Sequence, residues 1–171
     1  RDAIDWSHDL LTPAQRQLFR RLAVSIGGFD LEGAAAVSGD PEQSMSGVQA
    51  LLDHSLVRAA PFATSVRYEM LETVREFGLE TLQEAGETRA VRYAHARYLL
   101  RRAEHLTESD GPHAMAQAMV VELPNLRAAL RFLEEKDDPD LSRLVLVASE
   151  VWFWQGHMQE ARDWLQRALA A

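Results

Sequence analysis

Residues 68–77 read Tyr-Glu-Met-Leu-Glu-Thr-Val-Arg-Glu-Phe, and this stretch decides how the chain is organised. Its first residues complete a short β-prone run over residues 66–70. Its later residues begin an amphipathic pattern that predicts a helix over residues 71–84. We therefore interpret the stretch as a strand-to-helix junction between two kinds of module.

Upstream of the junction, the sequence predicts three helices followed by a β-hairpin, which is the order of a winged-helix domain. The first of these helices has a clear start signal: Thr12 as N-cap, Pro13 at the first helical position and Gln15 completing the cap. The predicted elements are a lead-in helix over residues 1–10, helices over 13–26, 31–37 and 43–54, strands over 56–60 and 66–70, and a turn-like loop over 61–65.

Downstream of Gly86 no strand pattern occurs. The predicted helices span about residues 87–107, 111–121, 124–136, 140–155 and 158–170. The last pair fits a tetratricopeptide-like repeat, with Trp152, Gly156, Ala161, Leu165 and Ala168 at suitable offsets.

The expected fold is mainly α: a winged helix with a small β-hairpin over residues 1–86, then an α-helical repeat domain over residues 87–171. A single repeat cannot bury its own face. We therefore expect the repeat domain to be truncated at its C-terminal end and the chain to be a fragment of a larger protein.

Composition narrows the class of protein. The chain has 171 residues, of which 47% are hydrophobic, which is typical of a globular protein. It has no cysteine, which excludes disulfides and cysteine-bound metals. No apolar run approaches the roughly 20 residues of a membrane span, and the first residues are not those of a signal peptide. We expect a cytoplasmic protein with no membrane partner.

Charge argues against DNA as the ligand of this fragment. Residues 1–86 carry 7 Arg against 13 Asp and Glu, a net charge of −6. The predicted third helix has no Lys or Arg between Asp40 and Val57, although phosphate contacts and base readout favour cationic or amide donors. Arg58 and Arg67 in the hairpin are the candidates for phosphate contacts. We expect protein docking, with DNA binding as the alternative.

Several segments together resemble the region after the nucleotide-binding domain in signal-transduction ATPases with numerous domains, including bacterial transcriptional regulators of the LuxR-like and AfsR-like kinds. The matching segments are residues 4–7 (IDWS), 10–15 (LLTPAQ), 18–24 (LFRRLAV), 27–29 (GGF), 51–57 (LLDHSLV), 68–77 (YEMLETVREF), 122–130 (ELPNLRAAL), 156–158 (GHM) and 164–169 (WLQRAL). The resemblance covers nearly the whole chain.

This resemblance implies a non-catalytic regulatory fragment of a nucleotide-switched transcriptional regulator. ADP or ATP would bind in an upstream domain of the same chain, so no cofactor is expected in the fragment. The winged helix would pack on that domain, and an inducer or a protein would bind the helical repeats. The residues expected to couple the domains are Met70, Leu71, Glu72 and Arg75.

The junction departs from related animal and plant switch ATPases at one position. Those proteins have a Met-His-Asp motif whose histidine contacts the ADP phosphate, and the matching residues here are Met70, Leu71 and Glu72. Leucine can neither donate nor accept a hydrogen bond. Direct sensing of nucleotide by Leu71 is therefore not expected, but a packing role of the junction is.

No catalytic or metal-binding motif is present. The sequence has neither a phosphate-binding Gly-rich Lys-Ser/Thr loop nor a Gly-x-Ser-x-Gly elbow, and we do not expect an enzyme. Its histidines are dispersed rather than spaced as metal ligands. We expect His95 and His105 to be partly exposed helix residues.

Two further groups of residues have alternative interpretations. Trp152, Phe153 and Trp154 are consecutive, and they cannot all face one side of a helix. They fill the core or contact a partner, and Trp152 and Trp154 are the candidates for partner contacts. The arginines at positions 89, 92, 97, 101 and 102 fit a solvated, salt-bridged face, or a docking surface for another domain.

Two other functions stay open at this stage. One is a DNA-binding winged-helix protein with a helical dimerisation domain. The other is a scaffold fragment with no switching role.

Overall fold

The computed structural model describes residues 2–62 and 65–170. These residues divide into two compact units, and the boundary along the chain lies between His95 and Ala96. We predict the domain boundary at Gly86, which lies before that point in the chain. The assignment of separate functional domains stays a prediction, and each unit is described by itself.

The first unit contains a winged helix, as predicted. Its elements are α1 (Asp2–Asp9), α2 (Pro13–Leu22), α3 (Leu31–Ser38), α4 (Pro41–Asp53), β1 (Arg58–Phe62), β2 (Ser65–Glu69) and α5 (Glu72–Glu84). The predicted start of α2 is confirmed: Gln15 N–H donates to Thr12 Oγ1 at 3.3 Å, and Thr12 N–H donates to Gln15 Oε1 at 2.9 Å.

Helix α2 ends earlier than predicted. We predict that it continues to Ile26, but it stops at Leu22, and Ser25 N–H then donates to the Leu22 carbonyl at 3.0 Å. The reason is a tertiary contact: Phe29 forms an isolated antiparallel bridge with Tyr68. The chain must leave the helix in time to reach that strand, and Ile26 becomes exposed.

The hairpin pairs Arg58 with Glu69 at its open end and Phe62 with Ser65 near its tip. The strands extend into the predicted loop at both ends, and residues 63–64 of that loop lie outside the described residues. Gly28 lets the chain pass close to β2: its φ is +79°, and a Cβ added there would lie 2.6 Å from the Tyr68 carbonyl oxygen. A side chain at this position would push β2 away.

The core of the first unit lies between α2, α4 and α5. Phe19, Leu22, Leu51 and Leu82 are completely buried in it. Each such side chain stabilises the fold by roughly 1.5–3 kcal/mol relative to exposure. The core therefore fixes the positions of α4 and of the strand-to-helix junction that precedes α5.

Helix α6 (Thr88–Met119) begins in the first unit and continues into the second. A 3₁₀ turn (Val120–Glu122), α7 (Leu123–Glu135), α8 (Asp140–Gln155) and α9 (Met158–Ala170) follow. Gly111 interrupts α6 with φ +84° and ψ 168°, which confirms the break predicted there. Only glycine adopts such a conformation readily, and Pro112 then starts the next helical piece.

The second unit is helical throughout its described residues, as predicted. Leu126, Leu130, Leu144 and Trp152 are completely buried in its interior. Gly156 caps α8 in the left-handed conformation and allows the chain to turn into α9. The tetratricopeptide-like character of this pair stays a prediction. No helix among the described residues is long and apolar enough to cross a membrane.

His95 corrects one expectation. We expect it to be partly exposed, but it is buried, whereas His105 is exposed. His95 lies on the same face of α6 as Val91 and Leu99, both buried. Positions four apart share a helix face, so the burial follows from its register in the helix.

Candidate functional site

The strand-to-helix junction, between the end of β2 and the start of α5, has one side chain packed against the core and the next one exposed. Met70 packs against the core, whereas Leu71 is 56% exposed. Leu71 occupies the N-cap position of α5, where its side chain makes no capping hydrogen bond. An apolar group at an N-cap leaves the first backbone N–H groups of the helix to other partners.

Arg75 connects this junction to another helix. Its guanidinium donates two hydrogen bonds to the Glu72 carboxylate, at 2.6 and 3.1 Å. Its Nη1 also donates to the carbonyl of Ala23, the C-cap of α2, at 3.3 Å. The hydrogen bond from Arg75 lowers the pKa of the Glu72 carboxyl. A cation at a helix C-terminus is favourable, so Arg75 holds α5 against the end of α2.

Arg75 thus contacts two of the other predicted coupling residues: it binds the Glu72 carboxylate, and its backbone N–H donates to the Leu71 carbonyl at 2.9 Å. Its contact with the Ala23 carbonyl reaches the end of α2. The side chain of Leu71 has no hydrogen-bond donor, whereas the related switch proteins have a histidine at the matching position. Arg75 is therefore a direct contact between α5 and the end of α2. The assignment of a coupling role to Met70, Leu71, Glu72 and Arg75 stays a prediction.

Helix α4 presents an exposed surface that we call the α4 outer face. It consists of six exposed residues, Glu42, Gln43, Met45, Ser46, Gln49 and Asp53. The carboxylates of Glu42 and Asp53 lie near its two ends. Met45 lies between them and is 66% exposed. In a helix-turn-helix protein the corresponding helix enters the major groove, but this face has carboxylates and no cation.

The two hairpin arginines are already engaged within the unit. Arg67 is only 5% exposed, and it donates to the carbonyls of Gly27 and Gly28 at 2.8 and 2.9 Å. Arg58 is exposed and donates to Glu69 across the hairpin at 2.8 Å. Arg67 therefore anchors the hairpin of β1 and β2, which is the wing of the winged helix. It cannot contact a phosphate without leaving this position. Arg58 would have to exchange Glu69 for the phosphate.

A second charged cluster lies where α6 begins, and no motif in the sequence predicts it. Arg20 Nη2 and Arg21 Nε donate to the two oxygens of Glu87, at 2.7 and 2.8 Å. Arg21 also donates to the Ser38 carbonyl. Burial raises the pKa of Glu87, but the hydrogen bonds from both arginines outweigh it and lower the pKa below its ordinary value. This cluster ties the start of α6 to α2 and α3.

The tryptophans of α8 have different surroundings. Trp152 is completely buried, and its indole nitrogen lies in the interior without a hydrogen-bond partner among the described residues. Trp154 is half-exposed and contacts the His113 ring with centroids 4.1 Å apart. Phe153 is also exposed. Of the two predicted contact residues, only Trp154 has the exposed surface that a partner could touch, and its role stays a prediction.

The arginine run on α6 has local partners. Arg102 donates to the Tyr98 hydroxyl at 2.6 Å, and Arg97 lies 3.7 Å from Asp140. Arg89 lies over the Tyr93 ring. These contacts agree with a solvated, partly paired helix face. Among the described residues, no group of three or more His, Asp or Glu side chains is placed to hold a metal ion.

Comparison with known proteins supports the first unit's architecture. Residues 11–83 match the family model described as a winged helix-turn-helix domain. This range runs from the residue before the α2 cap to the last turn of α5. No solved structure matches the chain.

The chain is similar to longer proteins from mycobacteria. Proteins named "Putative HTH-type transcriptional regulator" in Mycobacterium bovis and Mycobacterium tuberculosis are 37% identical over 178 residues, which cover 99% of this chain and 20% of each relative. A protein named "Uncharacterized protein" in Mycobacterium tuberculosis is 38% identical over 101 residues, covering 56% of this chain and 26% of the relative. The chain thus spans about a fifth of the length of the regulators it matches.

Proposed function

We propose that this chain is a non-catalytic regulatory segment of a transcriptional regulator. The observation that carries the proposal is its winged helix-turn-helix domain, together with its similarity over almost its whole length to proteins named as transcriptional regulators. The match covers 20% of such a relative, so the proposal concerns a segment and not the activity of a whole regulator.

Within such a regulator, the winged helix makes contacts with protein. The support comes from the surface that a DNA reader would use. Each phosphate neutralised by a Lys or Arg contributes to DNA affinity, but the α4 outer face offers two carboxylates and no cation. Arg67 is turned inward to the Gly27 and Gly28 carbonyls. These features fit a surface that docks on protein better than one that docks on DNA.

A finer hypothesis concerns what the winged helix transmits. An upstream nucleotide-binding domain with ADP or ATP would hold the winged helix in one state, and the helical second unit would receive an inducer or a protein. The junction of Met70, Leu71, Glu72 and Arg75 would pass the change on, since Arg75 joins α5 to α2. Leu71 packs or moves with α5 but does not read the phosphate.

This hypothesis has its own test in the full-length regulator. Glu72→Ala breaks the ion pair with Arg75, and Leu71→His places a hydrogen-bonding side chain at the junction. If the junction couples the domains, Glu72→Ala changes inducer-dependent transcription while protein abundance stays constant. Normal induction in both variants would favour the alternative of a scaffold without a switching role.

DNA binding by the winged helix is the second candidate function. The comparisons favour it over the nucleotide-switched hypothesis, because the matching family is a helix-turn-helix family and the named relatives are HTH-type regulators. On this alternative, the helices of the second unit would serve dimerisation. Gln43, Ser46 and Gln49 of the α4 outer face are side chains that hydrogen-bond bases in other proteins.

Fluorescence anisotropy with a labelled mixed-sequence DNA duplex separates the two candidates. Non-specific DNA binders have dissociation constants of about 10⁻⁴–10⁻⁶ M at physiological salt and bind more tightly at low salt. Our proposal predicts that the 171-residue chain does not bind the duplex in this concentration range, even at low salt. Saturable binding that weakens steeply with salt would overturn the protein-docking proposal. In that case Arg58→Met, which removes the exposed wing cation, reduces the salt slope.

A further inference from the structure

We propose that the α4 outer face is a docking surface for a cationic segment of a protein partner, one rich in arginine or lysine. This inference rests on the proposed protein-docking function and names the surface and the chemistry of the partner. Four features of the first unit carry it: the charge of the face, its central methionine, an adjoining groove and the internal pairing of the hairpin arginines and Arg21.

The α4 outer face is negatively charged, and α4 itself contains no Lys or Arg that would neutralise this charge. Glu42 and Asp53 are exposed, and the sequence from Asp40 to Val57 contains no Lys or Arg. Asp53 accepts a hydrogen bond from Gln49 at 2.9 Å, a neutral partner that leaves its charge intact. Opposite charges across an interface select partners and speed association. A cationic partner is the one that this face attracts.

Met45 gives the face an apolar centre. It is 66% exposed and has the glutamines and carboxylates of α4 around it. Protein interfaces combine a small apolar centre, often containing methionine, with a polar rim. A flexible thioether also adapts to different partner surfaces. DNA would offer such a side chain little beyond the methyl groups of thymine.

A groove adjoins the face on the side of α2. It has a volume of about 210 Å³, and its lining combines apolar residues such as Leu18 and Gly47 with hydroxyl and amide side chains such as those of Thr12 and Gln43. This is less than the roughly 300–1,000 Å³ of sites for drug-sized ligands, and it suits one long side chain. Of the described residues that line the groove, only Asp40 carries a charge.

Asp40 keeps some capacity for a cation. Its Oδ1 accepts the backbone N–H groups of Glu42 and Gln43, both at 3.1 Å, and its Oδ2 accepts Gln43 Nε2 at 2.6 Å. A carboxylate has about four acceptor positions, so one remains. An arginine or lysine that enters the groove meets this carboxylate and the amide oxygens beside it.

The two hairpin arginines and Arg21 are already engaged within the first unit. Arg58 is bound to Glu69, and Arg67 is bound to backbone carbonyls. Arg21, which approaches the groove at Ser38, is bound to Glu87. The carboxylates of the α4 outer face are therefore available to a cation from another molecule.

The test uses the whole 171-residue chain with an arginine hexapeptide as the probe. The same peptide with neutral citrulline in place of arginine is its control. NMR follows the methyl signal of Met45 and the backbone amides of α4, and calorimetry gives the affinity. We expect saturable shifts of the Met45 methyl and the α4 amides with the arginine peptide and none with the citrulline peptide.

Matched variants separate this face from the general acidity of the chain. Glu42→Gln with Asp53→Asn removes two charges from α4, and Glu76→Gln with Glu84→Gln removes two from exposed positions of α5. We expect the α4 pair to weaken binding about five-fold, because each exposed ion pair contributes modestly, and the α5 pair to change it by less than about two-fold. Asp40→Asn, which preserves the helix cap, should also weaken binding.

Three results would overturn the inference: equal binding of the citrulline peptide, equal losses in the α4 and α5 pairs, or shifts that leave Met45 unaffected. A mixed-sequence DNA duplex in the same titration distinguishes this failure from failure of the proposed function. If DNA shifts the Met45 methyl and loses affinity steeply with salt, both fail. If neither DNA nor the arginine peptide binds, only the inference fails.

Discussion

Arg67→Met is the sharpest test of how the wing is held, and Arg58→Met is its matched control. Both changes remove a guanidinium from the hairpin and keep an apolar side chain. Arg67 is 5% exposed and donates to the Gly27 and Gly28 carbonyls, whereas the Arg58 side chain is 66% exposed and pairs with Glu69. The two variants therefore compare an internal anchor with a surface ion pair.

The expected costs differ several-fold. A hydrogen bond to a charged group contributes about 1.5–3 kcal/mol, and buried carbonyls that lose their donors carry the full penalty. Losing two such bonds should lower the free energy of unfolding of the first unit by about 3–5 kcal/mol. Losing the exposed Arg58 pair should cost about 0.2–1 kcal/mol. The Phe29–Tyr68 bridge follows Gly27 and Gly28 directly, so its backbone amides should also exchange hydrogen faster in Arg67→Met.

The difference in unfolding free energy between the two variants can be measured by urea unfolding monitored through NMR cross-peaks. The cross-peaks report on residues of each unit separately. The midpoint for the first unit should fall clearly in Arg67→Met and hardly in Arg58→Met. If the two variants lose the same free energy of unfolding to within about 0.5 kcal/mol, the usual limit of additivity, Arg67 does not act as an internal anchor. This result would also restore Arg67 as a candidate for phosphate contact.

Three further predictions concern the first unit. Glu87→Gln should lower its free energy of unfolding at pH 7 by about 1–2 kcal/mol, between the values for exposed and buried ion pairs. Because the folded pKa of Glu87 is lowered, this contribution is present above the ordinary value of 4.5 and is lost as the pH falls through the folded pKa, so urea midpoints of the two proteins should converge in acid. Thr12→Ala should cost about 1 kcal/mol through loss of the α2 cap, and Thr12→Ser, which keeps the hydroxyl, should cost little by the same assay. Leu71→Asn should raise the thermal midpoint, since it supplies the missing cap of α5 and stabilises by about 1 kcal/mol; a lower midpoint would show that the Leu71 side chain makes a packing contribution.

Local signals predicted most of the element boundaries. The threonine, proline and glutamine at the start of α2, the Gly111–Pro112 break in α6 and the glycine after α8 all act through neighbouring residues. Such signals are visible in the sequence because caps and left-handed positions depend on residue type within a few positions. The winged-helix order followed from them together with the hairpin pattern.

Long-range contacts explain what the sequence could not supply. The early end of α2 follows from the Phe29–Tyr68 bridge, and the binding of Glu87 by Arg20 and Arg21 joins residues more than 60 positions apart. Hydrophobic periodicity carries no information about which arginine meets which glutamate. The same is true of Trp152, since three consecutive aromatic residues show only that they point in different directions, and packing decides which one is buried.

The two hairpin arginines show that the winged-helix fold does not by itself specify the kind of partner. The winged helix-turn-helix match describes the backbone arrangement, and that arrangement serves DNA readers and protein-docking modules alike. What distinguishes the two is the charge presented by α4 and by the wing. In this chain Arg67 stabilises the wing from within, Arg58 is paired, and α4 would bring Glu42 and Asp53 toward a phosphate backbone. Each such approach is repulsive by roughly 1 kcal/mol at 4 Å even in water. The same carboxylates would attract a basic protein segment, so the charges that oppose one partner define the other.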